Sequence, residues 1–383
     1  MIPMTQLQQP NNTSRSNSHH SDWQSLLRDN VTEPGELCEK LQLPASAVSA
    51  ESATIQPLNV TRDFLSRIEP SNPNDPLLLQ ILPRQEELET IPGFSNDPLD
   101  ESSYIKQTPL PGSCILTPNC TKSDLSAYEK FFHLPVLQKY PGRELVLATD
   151  HCASHCRFCF RRHSLKKKSI LSPLRRMDTK HFSIQNSTDS SKNNEEISDV
   201  REIILSGGDP LMLDDATLHG MFNYIKDLYP GNRVRVHTRM PIFLPERVTP
   251  QLVESLQAFR FSPAGGAVYV VLHVNHPNEL SDKVVNAIAA IVDAGIPVLS
   301  QTVLLRHVND RFETLFDLCE KLANSRIIPY YLHQLDRVQG AAHFEVPTVK
   351  GQVLASKLSA TLPGYAVPKY VRDVPGESRK TRL

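Results

Sequence analysis

Three cysteines lie close together in this sequence at a spacing that suits a metal cluster. Cys152, Cys156 and Cys159 directly follow the apolar run of residues 145–149. Cysteine thiolates hold iron–sulfur clusters, and three thiolates on a cluster of four irons would leave the fourth iron open for a substrate. The spacing therefore predicts a 4Fe–4S cluster with one open iron.

A structural zinc site is the alternative interpretation of these cysteines. Cysteines two residues apart commonly bind zinc, which prefers four nitrogen or sulfur ligands, and His151, His155 or His163 could supply the fourth. A compact zinc knuckle normally combines two such cysteine pairs, however, and the sequence contains no second Cys-x2-Cys. The cysteine pattern therefore favours the cluster over zinc.

Six short apolar runs alternate with helical stretches from residue 144 onward, a pattern typical of βα units around a parallel sheet. The runs are residues 145–149, 202–206, 233–237, 268–273, 297–303 and 327–333. Helices are expected at 214–228, 249–259 and 281–294, with Asp214 as an N-cap and Pro250 in a first turn. Because six units are too few to close an eight-stranded barrel, we expect an α/β fold with an open, TIM-like (β/α)6 partial barrel.

Composition divides the chain into four regions. They are a disordered tail at residues 1–20, an N-terminal helical and extended lobe at 21–143, the partial barrel at 144–345 and a C-terminal segment at 346–383. The tail is rich in Asn, Ser, Gln and His, and the lobe is expected to be helical at 22–43 and proline-rich at 69–100. Two segments, about 101–130 and about 164–200, look inserted, and the second is most simply a solvated loop.

Overall charge and cysteine content point to a cytoplasmic protein without a nucleic-acid or membrane partner. The chain has 41 basic and 42 acidic residues, so it offers no general field for polyanions. No run of about 18 apolar residues occurs, and residues 1–20 lack the order of a signal peptide. The seven cysteines are an odd number with three in one motif, which fits a reducing compartment better than a disulfide framework.

Polar motifs follow other predicted strands, at the rim where a barrel places its chemistry. They are Ser206, Gly207, Gly208 and Asp209 after the second strand, His273 and His276 after the fourth, Gln301 in the fifth and Asp336 after the sixth. Paired glycines let backbone N–H groups approach a ligand closely, although a tight turn would also explain them. The histidines suit a core or a ligand equally, and a glutamine in an apolar strand needs a hydrogen-bond partner.

Phe158 precedes the last cysteine, and the resulting run Cys-x3-Cys-x-aromatic-Cys resembles the radical S-adenosylmethionine (SAM) superfamily. In that superfamily the open iron binds the amino and carboxylate groups of SAM, and reductive cleavage of SAM yields a 5′-deoxyadenosyl radical. The resemblance implies an external electron donor such as flavodoxin or ferredoxin. It also implies a partial barrel of the radical SAM type.

Five longer segments resemble lysine 2,3-aminomutases, which are radical SAM enzymes that also use pyridoxal 5′-phosphate. The segments are residues 156–163, 205–211, 273–279, 301–306 and 329–336. The resemblance implies that the α-amino group of L-lysine moves from C2 to C3 after radical removal of a β-hydrogen. Residues 338–344 resemble the branch that makes (R)-β-lysine for modifying translation elongation factor P, which implies a functional link to the lysyl-ligase of that factor.

The same resemblance implies roles for individual residues. Lys380 would be the catalytic lysine that holds pyridoxal phosphate, Arg161 would bind the substrate α-carboxylate, and Asp336 and Asp373 would bind its ε-ammonium group. The residues implied in cofactor binding are Lys380, Ser206, Gly207, Gly208, Asp209, His273 and Gln301. In many relatives a glycine run precedes the lysine; here the run is Gly-Glu-Ser-Arg at 376–379, so Arg379 or Ser378 would contact the phosphate.

Each assignment has a simpler alternative. A lysine in a polar tail is usually solvated, and the two aspartates could pair locally with Arg337 and Arg372. Two other functions also stay open. One is a radical SAM enzyme that modifies a peptide without pyridoxal phosphate. The other is a non-enzymatic metal-binding adaptor that docks through the basic segment at 164–200.

Overall fold

A ten-stranded sheet, open at both edges, organises the part of the chain that the structure describes. The computed structural model describes residues 23–106, 131, 134–164 and 200–383. The predicted tail and most of both inserted segments therefore lie outside the described residues. The strands are β1 (Ile105–Lys106), β2 (Val136–Leu137), β3 (Arg143–Thr149), β4 (Glu202–Gly207), β5 (Arg233–Thr238), β6 (Val268–His273), β7 (Val298–Leu304), β8 (Ile327–Gln334), β9 (Lys369–Arg372) and β10 (Thr381–Arg382).

The strands follow one another across the sheet in chain order. β3 to β9 are parallel, whereas β1 and β2 at one edge and β10 at the other pair antiparallel with their neighbours. The six predicted strands are confirmed as β3 to β8, and so is the open partial barrel. β9 was missed because only Tyr370 and Val371 of its four residues are buried, which is too short an apolar run to detect.

Helices cover the barrel and build the region before it. The α-helices are Trp23–Arg28, Pro34–Lys40, Ala50–Ile55, Arg62–Leu65, Pro76–Leu79, Asp215–Leu228, Met240–Phe243, Pro250–Arg260, Asp282–Asp293, Phe312–Asn324 and Thr348–Thr361. The side chain of Asp214 accepts a hydrogen bond from Thr217 N at 2.6 Å, which confirms the predicted N-cap. None of the described helices is long and apolar enough to span a membrane.

The N-terminal region packs directly on the barrel. The helix expected at 22–43 is interrupted, because Val31 pairs with Val60 in a β-bridge and Pro34 begins a second helix. Both parts contribute to one apolar core, in which the ring of Phe64 lies 4.8 Å from that of Phe243. This region is therefore built on the barrel rather than around a core of its own.

Side chains of the N-terminal region hold the cysteine loop that follows β3. Asn59 Nδ2 lies 3.3 Å from the carbonyl oxygens of Cys152 and Ala153, and Gln56 Nε2 donates to Cys156 O at 3.1 Å. The loop has no regular secondary structure, so its carbonyl groups need such partners. The N-terminal region thereby fixes the positions of the cysteines.

Paired glycines at the end of β4 let this strand lie against the same loop. A Cβ on Gly208 would lie 2.2 Å from His151 O, and one on Gly207 would lie 2.4 Å from Thr149 O. Gly207 also has a φ of +116°, which side chains rarely allow. Both positions therefore require glycine for close backbone contact.

Gly208→Ala is expected to lower the free energy of unfolding by roughly 1–3 kcal/mol, because the added methyl group must displace the backbone of the cysteine loop. Gly35→Ala is the matched control, since a Cβ there meets nothing within 4 Å. Urea unfolding followed by circular dichroism measures both. Equal stability of the two variants would contradict the proposed contact.

Candidate active site

A cavity of about 1000 Å³ lies toward the carboxyl ends of the central strands. It brings together residues predicted from distant parts of the sequence. Those that line it are Cys156, Cys159, Arg161, Ser206, His273, Gln301, Asp336, Asp373 and Lys380. Cys152, Gly207, Gly208 and Asp209 are not among its lining residues. The cysteine loop, the strand ends and the C-terminal segment therefore share one site.

The cysteines have the surroundings that a set of cluster thiolates needs. Arg239 Nη1 donates to Cys156 Sγ at 2.8 Å, and Arg161 lies near enough to Cys152 and Cys159 for its charge to favour their thiolates. Burial nevertheless dominates in the protein alone, raising the pKa of Cys159 to about 11 and that of Cys152 well above its usual value. Three thiols beside two buried cations fit a cluster that carries negative charge.

The histidines that could complete a zinc site have other partners in the structure. His155 Nδ1 lies 2.7 Å from Pro57 O and His163 Nε2 lies 2.9 Å from Gln339 O, so both rings contact backbone carbonyl groups. Across the described residues, no group of three or more His, Cys, Asp or Glu side chains is gathered closely enough to hold a single metal ion. Two of the three candidate histidines therefore have backbone partners in place of a metal ion.

Arg161 already binds a carboxylate, that of Glu101. Its Nε and Nη2 atoms donate to Glu101 at 2.8 and 2.7 Å, and its Nη1 donates to Ser206 Oγ and Gly207 O, both at 3.0 Å. The guanidinium group is therefore fixed from behind by β4 and faces a carboxylate in front. Sequence reasoning missed Glu101 because it begins a segment that looked inserted.

Lys380 is held on the cavity wall rather than solvated. Its Nζ donates to the Asp373 carboxylate, which also accepts a hydrogen bond from the hydroxyl group of Tyr140. Lys139 Nζ lies 3.7 Å from Oδ1 of the same carboxylate. Burial alone would raise the pKa of Asp373, but the Lys380 charge and these hydrogen bonds lower it to about 2. Only 22% of the Lys380 side chain is exposed.

Asp336 and Asp373 do not pair with the neighbouring arginines, which was the alternative to a substrate-binding role. Arg372 donates to Thr348 Oγ1 at 2.7 Å, and Arg337 donates to Glu345 at the same distance. Asp336 instead lies near Asp373, and burial together with this like charge raises its pKa to about 7. The wall therefore carries one ionised and one readily protonated carboxyl group.

Two half-buried histidines that the sequence analysis missed also line the cavity. The Nε2 atoms of His237 and His333 have no hydrogen-bond partner among the described residues. Burial and nearby cations lower the pKa of His237 well below its usual value and that of His333 to about 3, so both rings are neutral. Unpartnered buried nitrogen atoms on a cavity wall are typical of ligand contacts. Their position in apolar strands was the available signal.

His273 and Gln301 lie side by side where β6 pairs with β7. His273 Nε2 lies 3.1 Å from Asn275 Oδ1, and its ring meets the edge of Phe158 at 5.5 Å. Burial and the Arg239 charge lower the pKa of His273 well below its usual value. Both predicted residues line the cavity, and their contact with a cofactor stays a prediction.

Asp209, which the resemblance implies in cofactor binding, is hydrogen-bonded to neighbouring residues. Its carboxylate accepts the hydroxyl group of Thr238 and the backbone N–H groups of Leu211, Arg239 and Met240 at 2.7–3.0 Å. Gly207, Gly208 and Asp209 therefore shape the site through close packing and internal hydrogen bonds, and their contact with a cofactor stays a prediction.

Cationic side chains dominate the end of the cavity near Lys380. They are Lys139, Arg143, Arg235, Lys369, Arg379, Lys380 and Arg382. Arg379 lines the cavity as expected, whereas Ser378 is not among its lining residues. A lysine amine beside such a cluster fits an aldehyde cofactor that carries a phosphate group.

Asp336→Asn is expected to stabilise the protein at pH 8 and to change its stability much less at pH 4. The pKa of Asp336 is about 7 when folded and about 3.9 when unfolded, so folding loses stability as pH rises between these values. The shift corresponds to on the order of 4 kcal/mol. Urea unfolding of the protein without cofactors at both pH values measures it.

Asp310→Asn is the control, because its effect on stability at pH 8 should be opposite to that of Asp336→Asn. Burial is the largest single influence and would raise the pKa of Asp310, but hydrogen bonds from Lys350 and from the His307 backbone, together with the nearby positive charges, lower the pKa below its usual value. This variant should therefore lose stability at pH 8. An effect of Asp336→Asn that is the same at both pH values would contradict the raised pKa.

Comparison with known proteins agrees with this geometry. A sequence model of the radical SAM superfamily matches residues 146–319. The L-lysine 2,3-aminomutase of Escherichia coli (strain K12) is 36% identical over 365 residues, covering 94% of each chain. That of Buchnera aphidicola subsp. Baizongia pistaciae (strain Bp) is 33% identical over 372 residues, covering 95% of each.

More distant matches extend the comparison. The L-lysine 2,3-aminomutase of Clostridium subterminale is 31% identical over 368 residues, covering 96% of this chain and 78% of the relative. A crystal structure of a radical SAM methyltransferase from Sphaerobacter thermophilus matches with a TM-score of 0.39 and 18% identity, over 62% of this chain and 69% of that one. On the sequence matches, the chain belongs to the L-lysine 2,3-aminomutase family of radical SAM enzymes.

Proposed function

We propose that the protein converts L-α-lysine to (R)-β-lysine with a 4Fe–4S cluster, SAM and pyridoxal phosphate. One observation supports this above all: a lysine held on a buried aspartate lines the same cavity as two cysteines of the radical SAM motif. When bound, the cluster with SAM supplies a carbon-centred radical, and pyridoxal phosphate supplies a conjugated system that can carry an amino group. The chain positions these groups and keeps water out.

The two aspartates suit the ε-ammonium group of the substrate. Asp373 binds the ammonium group of Lys380, which is chemically the same group that L-lysine would present. Once the Lys380 amine is used to hold the cofactor, Asp373 is available for the substrate. A substrate cation would also favour ionisation of the neighbouring Asp336, whose pKa is about 7 without it.

Arg161 suits the α-carboxylate of the substrate, provided that Glu101 gives way. Ser206 and Gly207 hold one nitrogen of Arg161, while Glu101 occupies its outward fork. The substrate carboxylate would replace the Glu101 carboxylate in the same geometry. Glu101 thus keeps the buried guanidinium group paired until substrate arrives, which avoids the cost of an isolated buried charge.

The cations near Lys380 suit the phosphate of the cofactor. Lys139, Arg143 and Arg379 line this end of the cavity, and a guanidinium group can bind phosphate oxygens in pairs. The neutral rings of His237 and His333 offer further hydrogen bonds without adding charge. These residues would orient the cofactor so that Lys380 reaches its aldehyde carbon.

The product and the electron supply complete the proposal. The segment at 338–344, with the sequence Val-Gln-Gly-Ala-Ala-His-Phe, supports a role for (R)-β-lysine in modifying translation elongation factor P through its lysyl-ligase. A low-potential donor such as flavodoxin or ferredoxin would reduce the cluster. We place the reaction in the cytoplasm, where thiols stay reduced.

Lys380→Ala is expected to abolish both the absorbance of protein-bound pyridoxal phosphate and the formation of β-lysine, because the amine that anchors the cofactor is lost. The assay uses anaerobic, cluster-reconstituted enzyme with SAM, a reductant and L-lysine, and identifies the product by chiral chromatography. Lys357→Ala, on the exposed face of a helix, is the control and should retain both signals.

Three results would count against the proposal. Absence of β-lysine with the wild-type enzyme would contradict the activity. Cofactor-independent cleavage of SAM with undiminished product in Lys380→Ala would favour the alternative of a radical enzyme without pyridoxal phosphate. Stoichiometric zinc with negligible iron would favour the adaptor.

Glu101→Ala is expected to tighten lysine binding about tenfold, which is roughly 1.4 kcal/mol, because the competing carboxylate is removed from Arg161. Isothermal titration with L-lysine measures the dissociation constant, and Glu89→Ala serves as an exposed control. If Glu101 only orients Arg161, its removal will weaken binding instead.

A further inference from the structure

A buried arginine outside the catalytic assignments touches one of the cluster cysteines. Arg239 directly follows β5, and its Nη1 donates to Cys156 Sγ at 2.8 Å. Only 6% of the residue is exposed, so water screens this contact weakly. The contact links the barrel wall to the sulfur atom itself and not merely to the backbone of the loop.

The rest of the guanidinium group is fixed by a buried network. Arg239 Nη2 donates to Gln80 Oε1 at 2.6 Å and to Glu279 Oε2 at 3.1 Å. Gln80 Nε2 in turn donates to Glu279 Oε1 at 2.9 Å, and Glu279 is completely buried. The cation that faces the sulfur thus has one carboxylate partner behind it.

The backbone and the faces of Arg239 are also held. Its N–H group donates to Asp209 Oδ2 at 2.7 Å, and its guanidinium carbon lies 5.4 Å and 4.8 Å from the ring centres of Phe158 and Phe243. Packing between aromatic rings leaves the group little freedom to turn away. Asp209, which does not line the cavity, therefore acts by positioning Arg239.

We propose that Arg239 raises the reduction potential of the cluster through its hydrogen bond to Cys156 Sγ, and that Glu279 counteracts it. Reduction adds one negative charge to a cluster held by thiolates, and a charged donor on a ligand sulfur stabilises the reduced state. The Glu279 carboxylate behind the cation acts in the opposite direction. The inference rests on the cluster of the proposed function, and it assigns Arg239 and Glu279 as positioning residues that tune that cluster.

The test compares the midpoint potentials of Arg239→Gln and Glu279→Gln with that of the wild type. Anaerobic, reconstituted enzyme is titrated with dithionite and mediators, and the reduced cluster is counted by electron paramagnetic resonance. We expect Arg239→Gln to lower the ratio of reduced to oxidised cluster at fixed potential about tenfold, or about 59 mV for a one-electron couple. Glu279→Gln should shift the potential upward.

Potential shifts of opposite sign distinguish an effect of charge from an effect of loosened packing. Damage to the network would shift the potentials of both variants in the same direction. Arg247→Gln is the matched control, because Arg247 is also buried and pairs with Asp215, whereas its guanidinium group donates to no cysteine sulfur among the described residues. It should lose stability without changing the potential. If Arg239→Gln fails to hold the cluster, the midpoint potentials of Arg239→Lys and Glu279→Gln provide the test. The potential of Arg239→Lys should then lie below that of the wild type.

Shifts of the same sign, or unchanged potentials in variants that retain the cluster and cleave SAM, would overturn the inference and leave the proposed function intact. A wild-type enzyme that binds no cluster would overturn both. Iron content and SAM cleavage, measured on the same samples, distinguish these outcomes.

Discussion

The anchoring of one irregular loop is the constraint on which the rest of the structure depends. The cysteine loop forms no helix or strand, and apart from turn hydrogen bonds such as that of Cys159 N–H to Cys156 O, its backbone groups are satisfied from outside. Asn59 and Gln56 bind its carbonyl groups, and Gly208 allows β4 to pack against it. Two otherwise different parts of the chain therefore meet at the cysteines, and neither could position them alone.

Charge in a poorly solvated cavity is the second organising feature. Arg161 is paired with Glu101, Arg239 with Glu279 and Lys380 with Asp373. Each pair joins a cation at or beside the cavity to a carboxylate of the protein. Because an isolated buried charge is costly, these pairings keep the empty protein stable while leaving cations in place for anionic ligands.

Much of the fold could be predicted from the sequence, for a clear physical reason. The parallel strands β3 to β8 are long apolar runs separated by helices with N-cap residues such as Asp214 and Thr249, and both signals are local. The edge strands are two to four residues long and carry no such signal. The N-terminal helices were harder, since Val31 leaves the helical path to pair with Val60.

The site was predicted in part, and its failures have a common cause. Residue types with their own chemistry, such as the cysteines and Asp336, were found from position and resemblance. Glu101, His237 and Arg239 were missed because their importance arises from tertiary neighbours that no local pattern encodes. Gly207, Gly208 and Asp209 have a structural role in close packing and internal hydrogen bonds, and their contact with a cofactor stays a prediction.

The contact between Asn59 and the cysteine loop also bears on the order of folding and of assembly of the proposed cluster. Asn59 and Cys152 are separated by 93 residues of chain, so they meet only after the N-terminal region has docked on the barrel. Thiols still moving independently would present no fixed triangle to incoming iron and sulfide. The proposed cluster would therefore assemble on the folded polypeptide, after the N-terminal region has docked on the barrel.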